Sequence, residues 1–196
     1  MRKYELKARA EKQAATRRRI VEATSALHEE VGPARTTVAE IARRAGVERL
    51  TVYTHFPNET ELFDACGQHW MDRHPPPDPS APLAIDNPDE RLRAVLGPLY
   101  RWYRKNARTI ENLQRDRLVM PAFDAVMRIR MDQQFANLTD ALASRYTPQG
   151  RRAKAMRAAV ALALDFWTWR RLAGERMSDE AAAALMTGAV KAAAHD

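Results

Sequence analysis

The sequence predicts an all-α protein, and three observations carry that prediction. Only 7 of the 196 residues are glycine, so turn material is scarce. Long stretches are rich in alanine, leucine and arginine, which lose little side-chain freedom in a helix. No run of alternating β-branched residues offers a half-buried strand. The length allows one large domain or two small ones, with a core that needs no covalent staples. Cys66 is the only cysteine, so no disulfide can close within the chain, as suits a reducing compartment. The first 19 residues contain no apolar signal-peptide segment and no later stretch approaches ~18 uninterrupted apolar residues, so the expectation is a cytoplasmic protein without a membrane span.

The elements follow in order. Ile20, Thr24, Leu27 and Val31 make one stripe at helical spacing, and Gly32-Pro33 stops that helix. Thr37 stands three residues before Glu40. Its hydroxyl can cap a backbone N–H while the carboxylate reaches back, and Ile41, Ala42 and Ala45 then form an apolar face that Gly46 ends. The next helix starts near Glu48, turns Val47, Val52 and Phe56 inward, and leaves Arg49, Thr51, Tyr53, Thr54 and His55 to other faces. Asn58 with Glu61 repeats the cap for a helix through Leu62, Phe63, Cys66 and Trp70. That helix ends before Pro75, Pro76, Pro77, Pro79 and Pro82, the expected domain boundary. Asn87-Pro88, with Asp89 and Glu90, starts a helix through Leu92, Val95, Leu96, Leu99, Tyr100 and Tyr103, with a kink at Gly97-Pro98. Further helices are expected at 121–145, 149–173 and 178–194, punctuated by Thr147, Pro148, Gly150 and Gly174. The last two are alanine-rich over much of their surface, which suits close helix packing or burial on more than one side.

The charge is uneven. The chain carries a formal +7, divided as +6 over residues 1–19, −4 over 20–75 and +5 over 76–196. A basic N-terminal arm can follow DNA phosphates or enter a minor groove, and the same run also suits a solvated helix extension. The capped helix, the turn at Gly46 and the second helix with polar outer residues make a helix-turn-helix pattern. Such a second helix fits the ~12 Å wide major groove. There Arg49 can pair with guanine, Thr51 and Thr54 can meet base methyls or phosphates, and Tyr53 and His55 can donate to phosphates.

The residues carry more than a pattern. Thr36-Thr37-Val38-Ala39-Glu40-Ile41-Ala42, Ala45-Gly46-Val47, Thr51-Val52-Tyr53-Thr54-His55-Phe56-Pro57-Asn58 and Leu62-Phe63 closely resemble the TetR family of bacterial transcriptional regulators, over about residues 16–66. The resemblance implies a three-helix DNA-binding domain, joined by a fourth helix to an all-α domain that dimerises and commonly holds an effector pocket. Members usually repress. By motif position, Thr37 anchors the DNA backbone, Arg49, Leu50 and Thr51 approach bases or phosphates, Tyr53 and His55 hold phosphates, and Val47, Val52 and Phe56 are core. Three positions depart from the family pattern. Ala39 stands where many relatives have arginine, Leu50 where a small residue is frequent, and Glu59 where a lysine often meets phosphate. The arm, through Arg17, Arg18 and Arg19, can supply phosphate attraction missing at Ala39 and Glu59, while Leu50 can touch a thymine methyl.

Other clusters carry less. Cys66, His69 and His74 fall short of a closed metal site, so no metal or cofactor is expected. Trp102, Phe123, Met127, Trp167 and Trp169 offer apolar walls for a small-molecule effector. Asp165 interrupts an apolar stretch, where it either orients an effector or forms a buried or interface ion pair. No phosphate loop, nucleophile elbow or metalloprotease motif is present, and catalysis is not expected. The expected organisation is a DNA-binding head over 1–57, a linking helix over 58–74 and an effector-binding and dimerisation domain over 75–196. The function expected is that of a homodimeric, effector-released repressor of a palindromic double-stranded DNA operator. The alternative is a constitutive or architectural DNA binder without an effector.

Overall fold

The computed structural model describes residues 2–146 and 150–195, and every regular element among them is helical. In order these are α1 (Arg2–Glu30), a 3₁₀ turn (Pro33–Arg35), α2 (Val38–Ala45), α3 (Arg49–His55), α4 (Glu59–Arg73), the short α5 (Ser80–Leu83), α6 (Pro88–Asp116), α7 (Pro121–Met127), a π turn (Arg128–Asp132), α8 (Gln133–Ala143), α9 (Arg151–Leu164), α10 (Phe166–Gly174) and α11 (Asp179–His195). Thr147, Pro148 and Gln149, expected as punctuation and as a helix start, lie outside the described residues. Among the described residues no helix is long and apolar enough to cross a membrane.

The chain packs as two compact units. One holds the residues up to Pro75 together with Arg108–Met127, and the other holds Pro76–Ala107 with the residues from Arg128 onward. Packing therefore groups 108–127 with the first four helices, although these residues follow the proline cluster in sequence.

In the first unit, Ile20, Val21, Ala23 and Leu27 of α1 bury against Ile41, Ala42 and Ala45 of α2, Val52 of α3, Phe56, and Leu62 and Cys66 of α4. The core is closed by local chemistry read from the sequence. The Thr37 hydroxyl accepts the Glu40 N–H at 3.2 Å, Gly46 ends α2 in the left-handed conformation, and Asn58 Oδ1 accepts the Glu61 N–H at 2.9 Å. One detail differs from expectation. The Glu40 carboxylate does not reach back to residue 37 but binds Arg43 and Arg44, whose guanidinium groups offer charge-assisted donors where the backbone offers one neutral N–H.

The turn after α1 is held from the far end of α6. Arg108 donates to the Glu30 carbonyl at 3.0 Å, Asn112 to Glu29 at 3.2 Å and Arg115 to Val31 at 3.1 Å, while buried Asp116 accepts the Ala34 N–H at 3.0 Å. These bonds satisfy carbonyls at the end of α1 that have no partner within the helix.

In the second unit Leu92, Val95, Leu96, Leu99 and Tyr100 of α6, Leu142 of α8, Val160, Ala163 and Leu164 of α9, Phe166 and Trp169 of α10, and Ala183 and Val190 of α11 are buried, and the Tyr100 and Tyr103 hydroxyls tie α6 to α9 by donating to the Ala163 and Leu164 carbonyls at 2.7 Å. The single helix expected over 149–173 is two helices. α9 ends at Leu164, and Asp165, in extended conformation, caps α10 by accepting the Thr168 N–H at 2.8 Å. The expectation of a carboxylate buried in an apolar stretch is therefore corrected: Asp165 is exposed, and its charge meets a helix N-terminus. Likewise, the stretch expected as one helix over 121–145 contains α7, the π turn and α8.

Candidate nucleic-acid interface

α3 is seven residues long and sorts its side chains by face. Val52 is buried, and Phe56 just beyond the helix is buried with it, so the opposite side of α3 points away from the core. That side carries Leu50, 73% exposed, Tyr53, 54% exposed, and exposed Arg49 and Thr54, with Thr51 and His55 half-buried at its borders. Leu50 and Thr54 lie one turn apart, and the Thr54 hydroxyl donates to the Leu50 carbonyl at 2.8 Å, fixing its rotamer while leaving the oxygen lone pairs free to accept. Seven residues span about 10 Å, close to the width of a major groove. Val47 is half-buried against the core.

Surrounding charges define what remains available for a polyanion. Arg44 bridges Glu30 and Glu40, and Arg43 pairs with Glu40. The Glu40 carboxyl is held down to about 2 by hydrogen bonds from Arg43 and then Arg44. Both arginines are thus engaged by acids on α1 and α2. Arg49 and Arg18 are exposed and face solvent. Arg17 lies over the ring of Phe56, its guanidinium carbon 4.5 Å from the centroid, a cation–π contact that places a cation at the C-terminal end of α3. Arg19 approaches Gly46 at the other end, its Nη1 3.5 Å from where a Cβ would stand. Spacing could nominate Arg17 and Arg19 as basic residues, but only the fold shows which parts of the helix-turn-helix they adjoin.

The other residues singled out from sequence are dispersed. Phe123 and Met127 are buried in the first unit, Phe123 packing edge-on against Phe63 at 5.2 Å. Trp102 and Trp169 are buried in the second unit, where Trp167 is 49% exposed and Asp165 caps α10. Cys66 is buried with its sulfur 3.5 Å from Nδ1 of His28, a partner the sequence did not suggest. Burial pushes the His28 imidazole down to about 4, against an opposing pull from Asp116, so it is neutral at neutral pH. Among the described residues no group of three His, Cys, Asp or Glu is arranged to hold a metal ion.

Comparison with known proteins bears on this geometry. Residues 20–66 match the family model "Bacterial regulatory proteins, tetR family". Over 50 residues, 26% of this chain, the sequence is 48% identical to the HTH-type transcriptional regulator TtgR of Pseudomonas putida, and equally to the probable HTH-type transcriptional regulator ArpR of the same species. The match spans 24%, about a quarter, of the length of each of these relatives. The fold is similar to a transcriptional regulator from Rhodococcus sp. Rha1, with a TM-score of 0.61 and 19% identity, covering 92% of this chain and 98% of that one. It is also similar to a tetR-family transcriptional regulator from Streptomyces coelicolor, with a TM-score of 0.61 and 19% identity, covering 91% and 79%. The chain is all-α among the described residues, with a helix-turn-helix in its N-terminal part, and shares its fold with these structures. Residues 20–66 are similar to the tetR family of bacterial regulatory proteins.

Proposed function

We propose that this protein is a sequence-specific DNA-binding transcriptional regulator that works as a homodimer on a palindromic operator and is released by a small-molecule effector, acting as a repressor. The observation that carries the DNA-binding part is the outward face of α3. Arg49, Leu50, Tyr53 and Thr54 stand exposed on a short helix whose other side is locked into the core. Arg49 and Thr51 are assigned to bases, Leu50 to a thymine methyl, and Tyr53, Thr54 and His55 to phosphates. Thr37 at the start of α2, with Arg17 and Arg18 on α1, adds backbone contacts.

The homodimer is supported by a second apolar stripe. On α9, exposed Ala155, Ala158 and Leu162 follow at helical spacing on the side away from the buried residues, and on α11 exposed Ala181, Leu185, Gly188, Ala189 and Ala192 do the same. Small residues interrupted by single leucines let two helices approach closely, and these stripes carry no charge. A two-fold dimer reads half-sites about one helical turn, ~34–36 Å, apart. The effector reading assigns Trp102, Trp167 and Trp169 to the dimerising unit and Phe123 and Met127 to the unit that holds the head. Its differential binding to two dimer states would supply ~1–3 kcal/mol of coupling.

The test is selection from sheared genomic DNA at physiological salt, using wild-type protein and an Arg49→Ala, Tyr53→Phe variant. Recovery of one palindrome by wild type, weakened by about 5–150-fold or more in the variant at unchanged thermal stability, is the expected result. Recovery of DNA without a motif, equal for both proteins, rejects sequence-specific recognition in favour of the constitutive binder.

A further inference from the structure

From Tyr4 to Ala15, α1 lies open to solvent, and the head core begins only at Ile20. The segment is nevertheless helical and continuous with the buried part of α1, so it projects about 18 Å from the turn at which packing begins. Residues 1–15 hold five basic and two acidic side chains, a net +3, and Arg17, Arg18 and Arg19 follow at the root of the projection. Lys7 lies 4.0 Å from Glu11, both side chains open to water, a pairing too loose and too wet to neutralise the segment. Tyr4 and Leu6 are its only large apolar side chains among the described residues, 78% and 63% exposed, and their two-residue spacing puts them on different sides of the helix.

A helix polar all round cannot bury a face against protein or in a bilayer interface, both of which need an apolar stripe. Attraction to a polyanion needs no stripe, because phosphate charge is neutralised by cations on long side chains that reach around a helix. The root of the projection decides which polyanion. Arg17 sits on Phe56 at the end of α3 and Arg19 beside Gly46 before α3, so the projecting helix leaves the head where α3 lies.

We infer that the exposed N-terminal half of α1 is a second, sequence-independent DNA contact: a basic rod that lies along the phosphates flanking each half-site and lengthens the footprint by about five base pairs. Lys7, Arg9 and Lys12 are the described cations of the rod beyond the packed turns, and each phosphate they neutralise adds about 0.9 to the slope of log K against log salt. The inference rests on the DNA-binding reading of α3, but it assigns affinity and salt dependence to the rod and leaves base choice to α3.

The experiment compares wild type with Lys7→Gln, Arg9→Gln, Lys12→Gln and with the charge-preserving Lys7→Arg, Lys12→Arg. Glutamine and arginine are both good helix formers, and circular dichroism checks that helix content is kept. Binding to a duplex of arbitrary sequence, about 40 base pairs long, is followed by anisotropy between about 50 and 200 mM salt. The triple glutamine variant is expected to reduce the slope by at least about one per protomer, while the arginine variant keeps the wild-type slope. Each phosphate that is no longer neutralised changes the response over that salt range by about 3.5-fold in affinity. On DNA carrying a selected site, flanks extended by about six base pairs should tighten wild type and not the triple variant, with the same motif recovered by both. Equal slopes for wild type and the triple variant overturn the inference. So does a charge-dependent loss seen only on vesicles of anionic lipid, which would make the rod a membrane contact. Failure of α3 reads differently, as loss of any recovered motif with the rod's salt slope intact.

Discussion

At Gly32 the backbone takes φ 90° and ψ 161°, a region that residues with a Cβ almost never occupy. A Cβ there would also collide with Asp116 Oδ2 and come within 2.6 Å of Arg115 Nη2, the two side chains that hold the Ala34 N–H and the Val31 carbonyl. Gly32→Ala is therefore expected to cost more than about 2 kcal/mol, strain and displaced hydrogen bonds acting together. Gly67, inside α4 with nothing within 4 Å of its missing Cβ, is the control, and Gly67→Ala should stabilise by about 0.5–1 kcal/mol. Urea unfolding of the two variants checks the sign of each change, and a Gly32→Ala midpoint equal to wild type would show that the clamp contributes nothing to stability. The sequence marks Gly32 as the end of a helix, but not why only glycine fits. The groups that crowd it lie more than eighty residues away, and no local pattern announces them. Thr37, Gly46 and Asn58 were legible for the opposite reason: each acts on backbone within three or four residues of itself.

Helices show the same division between local and distant causes. Apolar residues resume at Phe166 directly after Asp165, so periodicity alone joins α9 to α10, and the break depends on the one polar side chain between them acting as a cap. The Asp165 carboxylate accepts the Thr168 N–H while its backbone is extended, which ends α9 and starts α10 as a separate helix. If capping is its role, Asp165→Asn keeps an acceptor and stays near wild-type stability, whereas Asp165→Ala loses about 1 kcal/mol, within a range of roughly 0.5–2. Thermal melts of both variants separate this from a charge-based role, in which asparagine would fail as badly as alanine. The candidate recognition helix was far more legible. Val52 and Phe56 fix its inner side from sequence alone, and the exposed residues opposite follow from geometry. What could not be read was the company α3 keeps, since Arg17 on Phe56 is a contact between segments almost forty residues apart.

For the molecule as a whole, the proposed homodimer turns on the exposed stripes of α9 and α11. An exposed leucine is ordinary by itself, but Leu162 at 57% exposure and Leu185 at 50% stand within runs of alanine and glycine on helices whose other sides are already packed. An all-alanine stripe buries little area and a charged one would repel its copy across a two-fold axis. Small residues with isolated leucines allow close approach and give each copy something to insert. Leu162→Glu combined with Leu185→Glu would place like charges opposite each other at such a contact and remove its largest apolar groups. The expected outcome is a protein of unchanged helix content that sediments as a monomer where wild type sediments as a dimer. Its binding to a palindrome should fall to the level of its binding to a single half-site, because each head must then find DNA alone. Sedimentation equilibrium with parallel titration of full and half operators checks both consequences. A double variant that remains dimeric would move the interface off α9 and α11, while a monomer that still binds the full palindrome as tightly as wild type would show that recognition does not depend on paired heads.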